Sequence, residues 1–487
     1  MKIVNFFKNE ASNETDLEYS GIAKYIPLII CGGFYLTTIL LFKFGPFEWG
    51  IKNEGQLYSF LSATLIALIL GYIFGTKIKL KKKKIKININ NIMYVSFILY
   101  LISYVLNCYA TTGKFYPDII RGIFDSGTAY RASHSVNASV YYITILLAPL
   151  TSLIVPLLFI YGKGLNTKSK IMGCITIILS IAIGVAQGVI NAYAISAFQI
   201  SMFLLIYLFS NIKKIKVKKI LIIITTIIML FLSFFIYYKI VMKNRLLWDS
   251  RQENNVTEQK VKNKKEELNK KTEKDNKKTE KENKKTEKEN KETMDEMFNE
   301  SAEFITQSKI KDKYFYSFLP DALESNINHM VSYITHGYKG LSLALQKDFT
   351  SSYGLGNSDF VRHNLLKIIG HTENEEEIIH RTYMHKVMDD GWSTGTVWVT
   401  FFVYPASDIG FPMTVILVFF IGLVFSLSWK DSLESKNIFA SSLFIYLCMI
   451  ICFFCANNVY MQNGGSFLSI VFASILWIIT RKVGKEV

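Results

Sequence analysis

The chain has 487 residues, half of them apolar, and a formal net charge of +16. Apolar runs of spanning length recur along most of the chain, so the composition predicts a polytopic membrane protein and excludes a soluble one. The positive charge does not indicate a nucleic-acid-binding protein. Its lysines are divided among short loops and one low-complexity segment and do not form a folded basic domain with aromatic residues.

Ten apolar segments are long enough to cross a bilayer as helices. The first follows a polar N-terminal stretch and is itself of spanning length, which indicates a membrane helix that serves as its own insertion signal. Gln187 and Asn191 predict a tight turn between the fifth and sixth spans. The predicted fold is all-α and polytopic, with one large outer loop that contains short helices. The ten spans are placed at 25–42, 57–75, 92–110, 138–160, 171–189, 192–210, 220–240, 410–428, 437–456 and 464–480.

Lysine-rich loops set the predicted orientation. They follow the second, fourth and sixth spans, at 77–86, 163–170 and 213–219. Because positive residues are retained in short cytoplasmic loops, these loops are predicted to lie in the cytoplasm. Ten spans then return the basic tail at 481–485 to the same side. Both termini are therefore predicted to be cytoplasmic, and the loop at 243–409 is predicted to lie outside.

The composition divides the chain into four parts. Residues 1–242 hold the first seven spans, 243–300 form a charged low-complexity tether, 301–409 form a folded outer loop and 410–487 hold the last three spans. From Lys270 the tether repeats a seven-residue unit, KKTEKDN or KKTEKEN, that has no apolar position. A coiled coil needs an apolar seam, so the repeat predicts a solvated helix or a disordered tether with no catalytic role.

Arginine and histidine are concentrated in the segments predicted to lie outside. Six of the seven arginines and all seven histidines fall there, whereas the inner loops are basic through lysine. This distribution is the opposite of the usual one. Arginine presents a planar, bidentate fork to phosphate and carboxylate, so its concentration in these segments predicts an anion-binding site on the outer face. The six arginines are Arg121, Arg131, Arg245, Arg251, Arg362 and Arg381.

The sequence predicts neither a disulfide framework nor a metal site. All six cysteines lie within predicted spans, away from the outer loop. His380 and His385 are five residues apart, which is not the i, i+4 spacing of a helical zinc pair.

Three strings of the outer loop resemble one family. They are THGYKGLSLALQ at 335–346, YGLGNS at 353–358 and WSTGTVWVTFFVYPASDIGFP at 392–412. All three are similar to segments of the bacterial oligosaccharide repeat unit polymerases, the Wzy-type proteins of O-antigen and capsular polysaccharide synthesis. The plan of many spans with one large outer loop before the last few helices is similar as well.

The resemblance implies a helical glycosyltransferase of the bacterial cytoplasmic membrane that needs no metal or cofactor, with 301–409 as its catalytic loop. Such an enzyme transfers a growing glycan from undecaprenyl pyrophosphate to a lipid-linked repeat unit at the outer face. The implied partners are this lipid-linked oligosaccharide and the bilayer, with a flippase and a chain-length regulator as candidate protein partners and no nucleic acid. Some members carry an arginine and a glycine at a fixed spacing in outer loops. Arg381 and Gly391 miss that spacing by one residue, which leaves the essential arginine open.

The chemistry gives the outer residues candidate roles. Displacement of a polyprenyl pyrophosphate increases the charge on its phosphates in the transition state, which fixed cations stabilise. The acceptor hydroxyl needs a general base such as histidine or carboxylate. For Arg245, headgroup anchoring is an equally good interpretation. The candidate pyrophosphate ligands are Arg121, Arg131, Arg362, Arg381 and Arg245, and the candidate bases are His380, His385, His363 and Asp390, in falling order.

Two other functions stay open at this stage. An O-antigen-ligase-like transferase would use the same donor and differ only in its acceptor. A lipid-oligosaccharide flippase or export protein would be non-enzymatic. A flippase is expected to expose polar groups along a path through the bilayer, and the interiors of the predicted spans carry no charged residue.

Overall fold

The structure is a computed structural model, and it describes residues 19, 21–81, 83–84, 87–129, 138–210, 216–241, 244, 309–310, 321–392, 394, 397–483 and 485–486. In this part of the chain, nine helices are long and apolar enough to cross a membrane, and Tyr193–Phe209 is a shorter apolar helix. The same residues contain almost no strand. The predicted all-α, polytopic membrane fold is confirmed.

In the described residues, nine α-helices precede the large loop. The fourth span, Ser139–Ile160, is made of two of them, and its interruption lies between Pro149 and Pro156, neither of which can donate a backbone hydrogen bond. The predicted tight turn is present at 187–189, where Gly188 has a φ of 63°. The helices are α1 (Ile26–Phe44), α2 (Glu54–Lys77), α3 (Ile89–Thr112), α4 (Ile119–Phe124), α5 (Ala138–Thr151), α6 (Ile154–Ile160), α7 (Thr167–Ala186), α8 (Ile190–Ser210) and α9 (Val217–Val241).

The remaining helices belong to the large loop and the last spans. They are α10 (Asp321–Thr335), α11 (Gly337–Ala344), α12 (Asp359–Ile369), α13 (Glu375–Arg381), α14 (Tyr383–Met388), α15 (Val403–Glu434), α16 (Ile438–Cys452), α17 (Val459–Gln462) and α18 (Gly464–Val483). Four two-residue strands form two antiparallel pairs. Strand β1 (Phe47–Glu48) pairs with β3 (Lys309–Ile310), and β2 (Lys83–Lys84) pairs with β4 (Lys485–Glu486).

The lysine-rich loop after α2 and the C-terminus share one end of the bundle. Strand β4 pairs with β2, and Arg481 donates to the Lys81 carbonyl oxygen at 3.2 Å. Arg481 also forms a 2.7 Å ion pair with the buried Asp431 near the end of α15. We call this end the basic end.

Helices α10 to α14 and the segment 397–402, together called the cap, lie at the opposite end. There the start of α2 contacts the cap through side chains. Asn53 donates to the Ser342 carbonyl oxygen at 3.0 Å, and Gln56 donates to that of Leu345 at 2.9 Å. The candidate residues of the cap are thus separated from the basic end by the length of the spans.

Helices α2 and α15 cross closely through small residues. A Cβ on Gly71 would overlap the Phe419 carbonyl oxygen, and one on Gly422 would overlap that of Leu68. Within a bilayer, small residues allow two backbones to approach and gain dispersion contacts. Because α2 precedes the large loop and α15 follows it, this crossing joins the two groups of spans into one bundle.

Two parts of the cap, α11 and the segment 397–402, pack between the spans. Tyr338 of α11 is fully buried, and its hydroxyl lies 2.7 Å from Thr38 Oγ1 in α1. Phe402 packs against Tyr35 at the middle of α1, with 6.0 Å between ring centroids. Backbone that is not in a spanning helix is tolerated at this depth because protein surrounds it.

The segment 397–409 contains both irregular chain and helix. Residues 397–402 form buried, largely non-helical chain, and the helix begins at Val403. This helix is interrupted at Gly410, whose φ of 78° and ψ of 160° are not helical, two residues before Pro412. The break separates the first turns of α15, which pack against the cap, from the longer part that crosses the membrane.

Candidate functional site

His336 and Trp398 join two of the three strings that resemble the polymerase family. The Trp398 N–H donates to His336 Nε2 at 2.8 Å, and His336 Nδ1 lies 3.1 Å from the Ser332 carbonyl oxygen. This hydrogen-bond network assigns the neutral tautomer with its hydrogen on Nδ1. The His336 side chain is 3% exposed. It therefore acts as a buried tie within the cap.

Asp408 joins the YGLGNS loop to the third string. Its Oδ1 accepts from the Ser352 hydroxyl at 2.6 Å and from the Gly356 N–H at 2.8 Å, and its Oδ2 accepts from the Asn357 N–H at 2.9 Å. A Cβ at position 356 would collide with Ser352 and Ser407, so the loop needs glycine there. The loop amides bind a carboxylate of the chain itself, which leaves them unavailable to a phosphate.

The loop between α16 and α18 completes this scaffold. Asn458 Nδ2 donates to Asn357 Oδ1 at 2.8 Å, and Gln462 Nε2 donates to the Asn357 carbonyl oxygen at 3.0 Å. The Asp359 N–H donates to Gln462 Oε1 at 2.8 Å. Sequence analysis missed this loop. The available signal is the row of amide side chains in ANNVYMQNGG at 456–465, between two apolar spans.

Residues 359–390, which we call the insert, are positioned by a helix cap at Ser358 and by a contact at Tyr383. Helix α12 begins at Ser358, whose hydroxyl accepts from the Val361 N–H, and it ends at Gly370 in the left-handed region with a φ of 76°. The Tyr383 N–H at the start of α14 donates to Ser407 Oγ at 3.0 Å. The insert carries Arg362, His363, His380, Arg381, His385 and Asp390.

His380 and His385 form a close pair of candidate bases, with 3.8 Å between ring centroids. Within the described part of the chain, the buried Nδ1 of His385 has no hydrogen-bond partner, and it lies 3.6 Å from Asp389 Oδ2. His380 is 54% exposed, with its Nε2 3.9 Å from Glu376 Oε1. A carboxylate beside Nδ1 favours the tautomer that leaves Nε2 able to accept a proton. His385 therefore has a carboxylate close to Nδ1, an arrangement that suits a general base, although no hydrogen bond joins the two groups.

Arg362 and His363 share one carboxylate. Arg362 Nε lies 3.5 Å from Glu375 Oε1, and His363 Nδ1 lies 3.2 Å from Glu375 Oε2. Arg362 also pairs with Asp359 at 2.6 Å, and only 8% of it is exposed. Arg362 thus ties α12 to the start of α13, and it can contact an external anion only by releasing one of its carboxylates.

Arg381 lies at the end of α13, within the insert and one residue from His380. Its Nη2 is 2.6 Å from Glu377 Oε1, and its guanidinium carbon is 4.8 Å from the centroid of the Tyr353 ring. The hydrogen bonds that Arg381 donates to Glu377 raise the pKa of Arg381 above its usual range, so the group stays charged. Tyr353 belongs to the YGLGNS loop, so that string positions a candidate arginine.

Asp390 is engaged by Lys347, whose Nζ lies 2.6 Å from Asp390 Oδ1. Because the Asp390 carboxylate already has a cationic partner, Asp390 is a weaker candidate for the general base than His385.

Two further lysines of the cap were not predicted from the sequence, where lysine served only as a topology signal. Burial lowers the pKa of Lys386 and of Lys339, and the Lys339 ammonium lies 6.0 Å from the centroid of the Trp392 ring.

The other candidate arginines are not part of the insert. Arg121 lies on α4, which packs against the end of α7, and its backbone N–H donates to Asp118 Oδ1 at 3.2 Å. Asp118 pairs with Lys114 at 2.6 Å, and no ion pair of the Arg121 side chain is seen with any described residue. Arg131 and Arg245 lie outside the described residues, as does the tether from 245 to 300.

The insert is acidic, with seven Asp and Glu residues against four Lys and Arg residues. Net charge therefore does not attract an anion to it, and an anion that binds Arg362 or Arg381 must replace a carboxylate there. Within the part of the chain that the structure describes, no group of three or more His, Cys, Asp or Glu side chains could hold a metal ion.

Comparison of the chain with protein-family models, with curated proteins and with solved structures gave no match. The class that the fold defines is that of α-helical, polytopic membrane proteins. Since many functions share such a fold, the function has to be argued from the site.

Proposed function

We propose that the protein is a metal-independent glycosyltransferase of the bacterial cytoplasmic membrane. It moves a growing glycan from undecaprenyl pyrophosphate to a lipid-linked oligosaccharide repeat unit at the outer face. The observation that carries the proposal is the insert. Its imidazole pair and its two arginines are held at the cap end by the same three strings that resemble the repeat unit polymerases. Hydrogen bonds of His336 and Asp408 join the third string, which follows the insert, to the two strings that precede it.

In the proposed reaction, His385 accepts the proton of the acceptor hydroxyl. Asp389, whose Oδ2 lies 3.6 Å from Nδ1, is the carboxylate proposed to orient the imidazole during the reaction. The acceptor oxygen forms the glycosidic bond to the anomeric carbon of the growing chain while the bond from that carbon to the pyrophosphate oxygen breaks. Polyprenyl pyrophosphate leaves with the electron pair of that bond. His380, in ring contact with His385, is the second candidate.

Arg381 is the proposed ligand of the departing pyrophosphate. Its side chain is 29% exposed, and its carboxylate partner, Glu377, is 65% exposed and belongs to the same helix. Such a surface pair contributes little to stability, so replacing the carboxylate with a phosphate costs little. Arg362, buried between two carboxylates, is better suited to holding the insert in shape. Arg121, Arg131 and Arg245 remain candidates for a second phosphate contact.

Incubation of the purified full-length protein with lipid-linked repeat units tests the proposal directly. The expected result is a ladder of products that differ by one repeat unit, formed without added metal or nucleotide. Absence of any product with the matched substrate contradicts the proposal. Transfer of the glycan to an acceptor that is not lipid-linked supports a ligase instead. Movement of repeat units across the membrane without elongation supports a flippase.

Matched variants test the roles of the residues. His385→Gln should lower the rate of elongation by about 10²–10⁴-fold, the range for loss of a general base. His371→Gln is the control, because His371 lies on the same insert, is 57% exposed and also pairs with a carboxylate, at 3.0 Å. Arg381→Lys should fail although the charge is kept, because lysine cannot offer a bidentate fork. Equal ladders from all four proteins refute the assigned roles.

A further inference from the structure

Helix α12 presents an apolar face to its surroundings instead of to the protein. Ile368 is 81% exposed, Ile369 is 52% exposed and Leu365 is 41% exposed. Together with Val361 they follow the spacing i, i+4, i+7 and i+8, which places them on one side of a helix. The helix is well formed, since both of its ends are capped. In a water-soluble domain such a face is normally buried, so something else has to cover it.

The position of α12 shows where that face lies. The rings of Phe360 and Phe467 are 6.0 Å apart, and the Tyr142 hydroxyl donates to Asn364 Oδ1 at 3.0 Å. A Cβ on Gly464 would meet the Phe360 ring, so the contact with the start of α18 is close. Tyr142 belongs to α5. Helix α12 therefore lies against the cap ends of two membrane spans, α5 and α18.

The exposed face of α12 adjoins the lipid-facing surface of these spans. Exposed apolar side chains continue along α5 at Leu146, 69% exposed, and along α18 at Ile475, 50% exposed. Successive residues of a helix are about 100° apart, so the exposed Leu365 and Ile368 lie on the side of α12 next to the one that contacts the spans through Phe360 and Asn364. His363 and Lys367 lie on the opposite side of the helix, where charge is hydrated.

We propose that α12 is an interfacial helix whose apolar face is embedded in the lipid of the leaflet at the cap end. The occupant of this face is bilayer lipid, because the face continues the surface that α5 and α18 already turn to lipid. An amphipathic helix of this kind lies in the plane of the interface with its polar side toward water. Arg362, on the neighbouring side of α12, and its partner Glu375 at the start of α13 then lie near headgroup depth. The proposal does not depend on the proposed reaction.

The test measures the depth of nitroxide labels in the full-length protein, reconstituted in nanodiscs of phosphatidylcholine and phosphatidylglycerol. Labels are placed by Ile368→Cys, by Ile369→Cys and, as the matched control, by Lys367→Cys. All three are made in a Cys174→Ser background, because Cys174 is exposed and the other five cysteines are buried. None of these label sites is buried, so folding does not depend on them. Collision rates are measured with oxygen, which partitions into lipid, and with a water-soluble nickel chelate.

The labels at 368 and 369 should collide several-fold more with oxygen than with nickel, and the label at 367 should show the reverse. Equal nickel accessibility at all three positions overturns the proposal, because the face is then in water. Protection of 368 and 369 from both reagents also overturns it, because a protein surface, such as a second copy of the chain, then covers the face.

Discussion

Replacement of Asp408 by alanine should release the YGLGNS loop from α15. The Asp408 carboxylate accepts two backbone N–H groups, from Gly356 and Asn357, and the Ser352 hydroxyl, all within 2.9 Å. Hydrogen bonds to a charged group contribute about 1.5 kcal/mol each at the low end of their range, so loss of the two amide bonds should cost about 3 kcal/mol of local stability. Tyr353, which contacts Arg381, lies in the same loop.

Hydrogen exchange of the Gly356 and Asn357 amides measures this loss. A change of about 3 kcal/mol in local opening free energy should accelerate exchange on the order of 100-fold. Asp408→Asn keeps one acceptor oxygen, so its effect should be intermediate. Asp389→Ala is the control, because Asp389 is 66% exposed and accepts no backbone N–H in the described structure. Unchanged exchange in Asp408→Ala, or equal acceleration in the control, would refute the assignment of Asp408 as the anchor of the loop.

Two further predictions concern packing and pH. Gly71→Ala should destabilise the protein by about 1–3 kcal/mol, because the added methyl group overlaps the Phe419 carbonyl oxygen. Gly33→Ala is the control, and it should be neutral or stabilising because the space around its Cβ is open. Thermal unfolding in detergent compares the two variants. Burial lowers the pKa of Lys339, so the folded state binds a proton less readily than the unfolded state, and stability should rise as pH increases from the lowered pKa toward 10.5. Lys339→Met should reduce this rise, and Lys386, whose pKa is also lowered by burial, should keep its own share of it. Equal pH dependence of unfolding in the wild-type and Lys339→Met proteins would contradict the prediction.

The spans were predictable because the bilayer requires long apolar helices, and this requirement is visible in a single sequence. The turn after α7 was predictable for the same reason, since polar residues at 187 and 191 interrupt a run long enough for two passes. The buried, non-helical path of 397–402 was harder to predict from the sequence than the spans were. Apart from Thr400 its side chains are apolar, because protein surrounds the segment, and such a segment has no periodicity that separates it from the start of a span.

The contacts of the site were only partly predictable. Pairs such as Glu377 with Arg381 follow the i, i+4 rule and can be identified from sequence alone. The bonds from Asp408 to the YGLGNS loop, and from His336 to Trp398, connect residues more than 50 positions apart. Their partners are backbone groups, which carry no sequence signal. Sequence analysis therefore found the strings but not the way they are joined.

The structure also changes the meaning of the outer arginines. Their concentration opposite the lysine-rich loops predicted an anion-binding face, yet Arg362 and Arg381 each have carboxylate partners within the insert. A fully paired arginine attracts an anion only if the new partner is better than the old one. A pyrophosphate offers several oxygens to the guanidinium fork, and its charge increases as the glycosidic bond to it breaks. Exchange of Glu377 for phosphate at Arg381 would then be most favourable in the transition state, where it accelerates the reaction instead of only tightening substrate binding.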